Sequence, residues 1–197
     1  MTIRVGESLL HWNYFLALES DLEDVSRFIE FSKNNFRTYS IELAHLLLAS
    51  SSEVDVLAKG ICKLINPRSE AKNINQYKNE IVEHFPDVHL ERVFVPRYGL
   101  NFRPWSNWEK NEPPRWWTSY NKVKHERNDH FDDANLKNTL NAMGGLLIAV
   151  FYFYKLKFAI SDPDMFANNR DVMQNLQPKS KLLRLNENYY PSYLLLE

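Results

Sequence analysis

The stretch Asp132–Lys157, DDANLKNTLNAMGGLLIAVFYFYKLK, decides the fold class. Leu136, Leu140, Met143, Leu147, Val150 and Tyr154 recur in it at alternating gaps of four and three, the spacing of one buried helical stripe. The paired acids Asp132 and Asp133 suit the positive end of a helix dipole, so the helix is expected to begin near them. The run from Ala142 to Tyr154 is uncharged and is closed by Lys155 and Lys157. It falls short of the ~20 apolar residues that cross a bilayer, and it reads as the core helix of a soluble protein. Gly144-Gly145 either admits a close neighbour or kinks the helix.

Working outward, two more helices share this pattern. From Ser8 to about Phe36, the seam is Phe15, Leu18, Leu22, Val25 and Ile29, and the opposite face of Glu19, Glu23, Asp24, Arg27 and Glu30 reads as solvated. After the polar break Lys33-Asn34-Asn35, with Thr38 as cap, Leu43, Leu47, Ser50, Val54, Leu57, Ile61 and Leu64 form a second seam that stops at Asn66-Pro67. Such a pair joined by a short connection packs antiparallel. Ala49, Ser50, Ser51 and Ser52 supply small side chains for close packing rather than a nucleophile.

Composition agrees. With 44% apolar, 25% charged and 14% aromatic residues, and only 5 glycines and 9 prolines, the chain is expected to be an all-α domain spanning residues 1–197. The expected architecture is an antiparallel bundle of long helices (about 8–65 and 116–157), an irregular aromatic and proline-rich insert (68–115) and a C-terminal tail (160–197). A net charge of -1 provides no global field toward nucleic acid or an anionic membrane, so any such contact must be local. The lone Cys62 cannot form an internal disulfide, no cleavable signal is read at the N-terminus, and a reducing cytoplasm is the expected setting.

Within the insert, Pro86, Pro96, Pro104, Pro113 and Pro114 forbid a continuous helix. A short helix is expected at Gln76–His84, an extended piece at Arg92–Val95, then a loop holding Trp105, Trp108, Trp116 and Trp117 beside Arg103 and Arg115. Those tryptophans either stack bases or fill a partner's pocket, or they cover the open end of the bundle. The tail, polar from about Ser161, ends in Tyr189-Tyr190-Pro191 and Leu194-Leu195-Leu196, an apolar end that could dock back or onto a second subunit.

The chemistry-bearing cluster is Tyr120-Asn-Lys-Val-Lys-His-Glu-Arg-Asn-Asp-His130. On a continuous helix Asn121, His125 and Asn128 share one face, while Lys124, Arg127 and Phe131 lie on the next strip. His125 and Arg127 would stand roughly 160° apart, so either the segment bends or a second subunit supplies the partner residue. Arg115, Lys122, Lys124 and Arg127 less Glu126 give a local charge of +3, which favours RNA. The competing reading is a solvated salt-bridge network, with Glu126 and Asp129 neutralising the cations and Glu42 or Asp55 reaching Arg127 or Lys124.

Two long amphipathic helices, a variable insert, and an Asn, Lys, His and Arg cluster entering a third apolar helix resemble the HEPN superfamily, over Ser8–Ile65 and Trp116–Tyr154. The resemblance implies an all-α fold, a two-fold homodimer and a metal-independent ribonuclease of a toxin–antitoxin or phage-defence system. The family signature is arginine, a polar residue, then histidine after four to six intervening positions. Arg127-Asn128 supply its start, but the histidine window holds Asp132, Asp133 and Ala134; His130 comes earlier and His125 precedes the arginine.

Metal-free RNA cleavage needs a base for the 2′-hydroxyl, an acid for the leaving 5′-oxygen and cations around the phosphorane. His125 is the candidate acid or base and Arg127 the phosphate clamp; Asn121, Lys124, Asn128, Arg115, Trp116 and Trp117 are the candidate supports and RNA contacts. His11, His45, His84 and His89 are scattered, and His84 and His89, with Asp87 between, do not make a ligand set, so no metal or cofactor is expected. There is no glycine-rich phosphate loop, no Gly-x-Ser-x-Gly elbow and no catalytic-cysteine context. The alternative function is a non-catalytic helical protein that binds a protein partner through the tryptophan loop or the apolar tail.

Overall fold

The computed structural model describes residues 8–162 and 168–190; the Leu194-Leu195-Leu196 end lies outside them. The chain is mostly helical with a small two-stranded sheet. Its centre is helix α6, Leu136–Ser161, in which every residue from Ala142 to Tyr152 is buried. At 26 residues α6 is long enough to cross a bilayer, which the uncharged run alone is not. Even so, 61% of its most apolar window is buried inside the protein, the environment of a core helix.

Helix α6 starts later than the acid pair suggests. Asn135 is its cap, with the side chain accepting the Asn138 N–H at 3.1 Å, while Asp132 and Asp133 sit in a preceding 3-10 turn, Phe131–Asp133. The next N–H groups are satisfied from outside: Leu136 donates to the Thr38 carbonyl (2.9 Å) and Lys137 to that of Phe36 (3.2 Å). Thr38 is therefore a backbone acceptor and not the cap of the second helix. That helix, α2 (Ile41–Ile65), is capped by Ser40, whose hydroxyl accepts the Leu43 N–H at 3.1 Å. The buried Thr139 hydroxyl donates to the Leu43 carbonyl (3.1 Å), tying α6 to α2 along the broadest helix contact in the molecule.

Helix α1 spans Leu10–Val25 and stops well before Phe36. Ser26 ends it, its hydroxyl donating to the Glu23 carbonyl at 2.6 Å in competition with the helix backbone. The supposedly solvated face of α1 holds a buried acid: Glu19 is 4% exposed. Its Oε1 accepts from the Ser180 hydroxyl (2.5 Å) and the N–H groups of Leu182 (3.1 Å) and Leu183 (2.8 Å), and its Oε2 from the Lys181 N–H (3.0 Å). The C-terminal region is accordingly part of the core rather than a polar tail. A short helix α7 (Asn169–Asn175) leads into a segment whose Leu176, Leu182, Leu183, Leu185 and Tyr189 are buried. Glu91 accepts from both the Tyr152 hydroxyl (2.9 Å) and that of Tyr189, a second clasp on the same segment.

The insert contains helix α3 (Ile74–His84), capped by Asn73, and a hairpin of β1 (Val93–Val95) with β2 (Leu100–Phe102), register Val95 opposite Leu100. Gly99, at φ 62°, supplies the left-handed turn residue. Phe94 also exchanges both backbone hydrogen bonds with Arg184, at 2.8 and 2.9 Å. Beyond the hairpin the chain enters helix α4, Arg115–His125. The four tryptophans are all buried: Trp105, Trp108, Trp116 and Trp117 are 3%, 5%, 2% and 8% exposed. They cover the helices. The glycine pair of α6 makes room for that cover: a Cβ on Gly145 would lie 2.9 Å from the Trp116 ring, and one on Gly144 2.6 Å from Phe102.

Removal of the Glu19 carboxylate strands buried N–H groups that have no other acceptor, at a cost of about 1–3 kcal/mol per orphaned group. Glu19→Ala should therefore lower unfolding free energy by about 3–5 kcal/mol, read from urea denaturation, and Glu19→Gln by roughly half of that.

Candidate functional site at the elbow between α4 and α5

Pro114 opens α4 and supplies the carbonyl for the Trp117 and Thr118 N–H groups. The helix ends at His125; Glu126 leaves helical geometry (φ -133°, ψ 42°), and a one-turn helix α5, Arg127–His130, follows. The segment thus bends between His125 and Arg127, one of the two solutions the angular separation allows, and the continuous helical face shared by Asn121, His125 and Asn128 does not exist.

The bend sorts the candidate residues. Asn121 and His125 line one shallow groove of about 320 Å³ with Ile74, Pro113, Thr118 and Lys122. The Asn121 side chain donates to the Trp117 carbonyl at 3.1 Å, which fixes its amide on the groove wall. Lys124, His125, Arg127 and Asn128 are exposed. Lys124 lies over the Tyr120 ring, 5.5 Å from its centroid, and Arg127 Nε points at the Val123 carbonyl at 3.5 Å, near the C-terminal end of α4.

Two of the neighbouring acids, Glu126 and Asp133, are engaged with other partners. Asp133 is 3.6 Å from Lys122 and 3.9 Å from His130, and it accepts the Ser119 hydroxyl at 3.1 Å. Glu126 is 3.4 Å from His130. Glu42 faces His45 at 3.8 Å, while Asp55 holds Lys59 and accepts the Tyr77 hydroxyl, so neither reaches Arg127 or Lys124. Among the described residues, Lys124, His125 and Arg127 have no carboxylate partner within ion-pair distance. The salt-bridge network expected of this run is real, but it is built on Lys122 and His130.

The remaining candidates are not at the elbow. Trp116 is buried, with its indole N–H donating to the Pro104 carbonyl at 2.9 Å, and Trp117 shows only an edge to the groove. Base stacking on either ring is ruled out by that burial. Arg115 opens onto a different cleft of about 390 Å³, together with Arg103, Lys137, Asn138 and Asn141. The sequence carried a signal for this cleft: Lys137, Asn138 and Asn141 are polar positions on one side of the otherwise apolar α6, at spacings that share a helical face.

Other polar groups are structural. His11 Nδ1 meets Glu53 at 2.5 Å with its ring edge-on to Phe153, and its backbone N–H donates to the Tyr154 hydroxyl at 3.3 Å. No three His, Cys, Asp or Glu side chains converge as metal ligands among the described residues. Comparison with protein-family models, with curated proteins and with solved structures returns no match for this chain.

Burial, and then the nearby charge of Glu80, push the Cys62 thiol up to about 12, so it stays protonated and unreactive. Iodoacetamide at pH 8 should leave Cys62 unlabelled in the folded protein and label it fully in 8 M urea, as read by intact mass; rapid native labelling would contradict this burial.

Proposed function

We propose that this protein is an HEPN-like helix-bundle protein that binds RNA at the elbow between α4 and α5 and, as a two-fold homodimer, cleaves it without a metal ion. The observation that carries the reading is the exposed group of Lys124, His125 and Arg127, left without carboxylate partners although Glu126 lies within the run and Asp129 follows it. Unpaired cations beside an imidazole suit a phosphodiester: the arginine fork grips phosphate oxygens, lysine adds a point charge, and histidine moves a proton near neutral pH.

In the proposed reaction one His125 takes the 2′-hydroxyl proton and the 2′-oxygen attacks phosphorus. The bond to the 5′-oxygen breaks, and a second imidazole protonates that oxygen, leaving a 2′,3′-cyclic phosphate and a 5′-hydroxyl. The elbow's other histidine, His130, is engaged by Glu126 and Asp133, so the second imidazole is His125 of the other subunit, which is what makes the dimer part of the chemistry. Arg127 steadies the phosphorane charge, and Asn121 holds the groove wall. Such an activity fits a cytoplasmic toxin–antitoxin or phage-defence role. The alternative is a scaffold that holds a protein partner through its tryptophan loop or its apolar tail; the loop's rings are buried, and the Leu194-Leu195-Leu196 end lies outside the described residues.

The test is cleavage of a mixed-sequence RNA in excess chelator. The wild-type chain should cut, and His125→Ala and Arg127→Ala should each lose roughly 10²-fold or more in rate. Full activity in His125→Ala, or none in the wild type, would sink the assignment.

A further inference from the structure

The cleft that holds Arg115 is one half of a longer groove. A second hollow of about 360 Å³ adjoins it, and the two share Arg103, Ser106, Lys137 and Asn141 as a common wall. The halves differ in chemistry. The first is lined by charged and amide side chains, whereas the second has an apolar floor of Phe36, Leu100, Phe102 and Leu140.

Charge collects here in a chain whose net charge is -1. Lys33, Arg103, Lys110, Arg115 and Lys137 line the groove against Glu109 and Glu112. None of these cations is in an ion pair among the described residues, whereas Lys59, Arg97 and Lys122 elsewhere each meet an acid. The amides are set for recognition as well. Asn138 is locked by donating to Ser119 (3.0 Å) and to the Asp133 carbonyl (2.9 Å). Asn141 donates to the Lys137 carbonyl (2.8 Å), which leaves its own side-chain oxygen as an acceptor at the mouth of the apolar hollow.

We infer that this groove holds single-stranded RNA, its phosphates on Arg103, Arg115, Lys33 and Lys137 and one unpaired base in the hollow floored by Phe36 and Phe102. The inference rests on the RNA reading above and adds the form of the substrate. Cations in a row match a phosphate backbone, and an apolar hollow beside them matches a base out of its stack. A duplex keeps its bases inside the helix and cannot fill that hollow. Helix α4 spans from the groove to the elbow: Arg115 opens it and His125 closes it, about 15 Å apart at 1.5 Å per residue, a distance of a few nucleotides.

The test is fluorescence polarisation with a labelled RNA of about twelve nucleotides, offered single-stranded, as a duplex, and with an abasic position. The full chain is compared with the double variant Lys33→Glu/Lys137→Glu, both exposed positions whose folding is checked by circular dichroism, and with Lys63→Glu, an exposed charge reversal on α2 outside the groove and the elbow. Single-stranded RNA should bind at least tenfold tighter than the duplex. The double variant should lose at least tenfold in affinity with a shallower salt dependence, the abasic strand should lose severalfold, and Lys63→Glu should bind within about threefold of wild type. Wild-type binding by the double variant, or equal binding of the duplex, overturns the groove while leaving the elbow reading to its own cleavage assay. A wild-type chain that binds no RNA overturns both.

Discussion

A helix buried along most of its length must find acceptors for its first N–H groups inside the protein, and α6 does so by borrowing them. Thr38 and Phe36 lend carbonyls, Asn135 caps, and Thr139 reaches the Leu43 carbonyl. This one requirement positions the chain between α1 and α2, sets α2 against α6 and fixes the turn through Phe131–Asp133. Asp133 and Asn138, both at that end, then bind Ser119 and so fasten α4. The elbow and the groove are therefore by-products of satisfying the start of the central helix.

Much of this was legible from residue spacing. The three long seams predict α1, α2 and α6 because a stripe repeating near 3.6 residues leaves few alternatives. The ends were less legible, since caps depend on which polar side chain the local backbone frees: Ser40 rather than Thr38, and Asn135 rather than Asp132-Asp133. Glu19 was misread because an acid on the polar face of a helix looks solvated until another part of the chain covers it. Nothing near it in sequence announces the N–H groups of residues 181–183. The tryptophan loop was ambiguous for a related reason, as a ring that stacks a base and a ring that covers a core have the same composition, and only the glycines of α6 distinguish them.

At the elbow the sequence singled out a polar run and left its geometry open between a bend and a second subunit; the structure shows the bend. A continuous helical wheel separates His125 from Arg127, and the break at Glu126 is a backbone event that the residue pattern does not encode. The assignment of neighbouring acids to Lys122 and His130, which frees Lys124, His125 and Arg127, required side-chain positions. The wider groove is not legible in the sequence because its members come from several parts of the chain: Lys33 and Phe36, the hairpin, the stretch Ser106–Glu112, the start of α4 and the start of α6.

The Glu19 clasp also governs the order in which this chain can assemble. Its hydroxyl donor, Ser180, lies 161 residues downstream, and the Trp12 indole N–H likewise waits for the Pro178 carbonyl, 166 residues away. During synthesis α1 is made well before residues 180–183, so its buried acid stays uncompensated until that segment has also emerged. Closing so long a loop is slow relative to local helix formation. Helices α1 and α2 thus gather around an unfinished face, and residues 180–183 complete it.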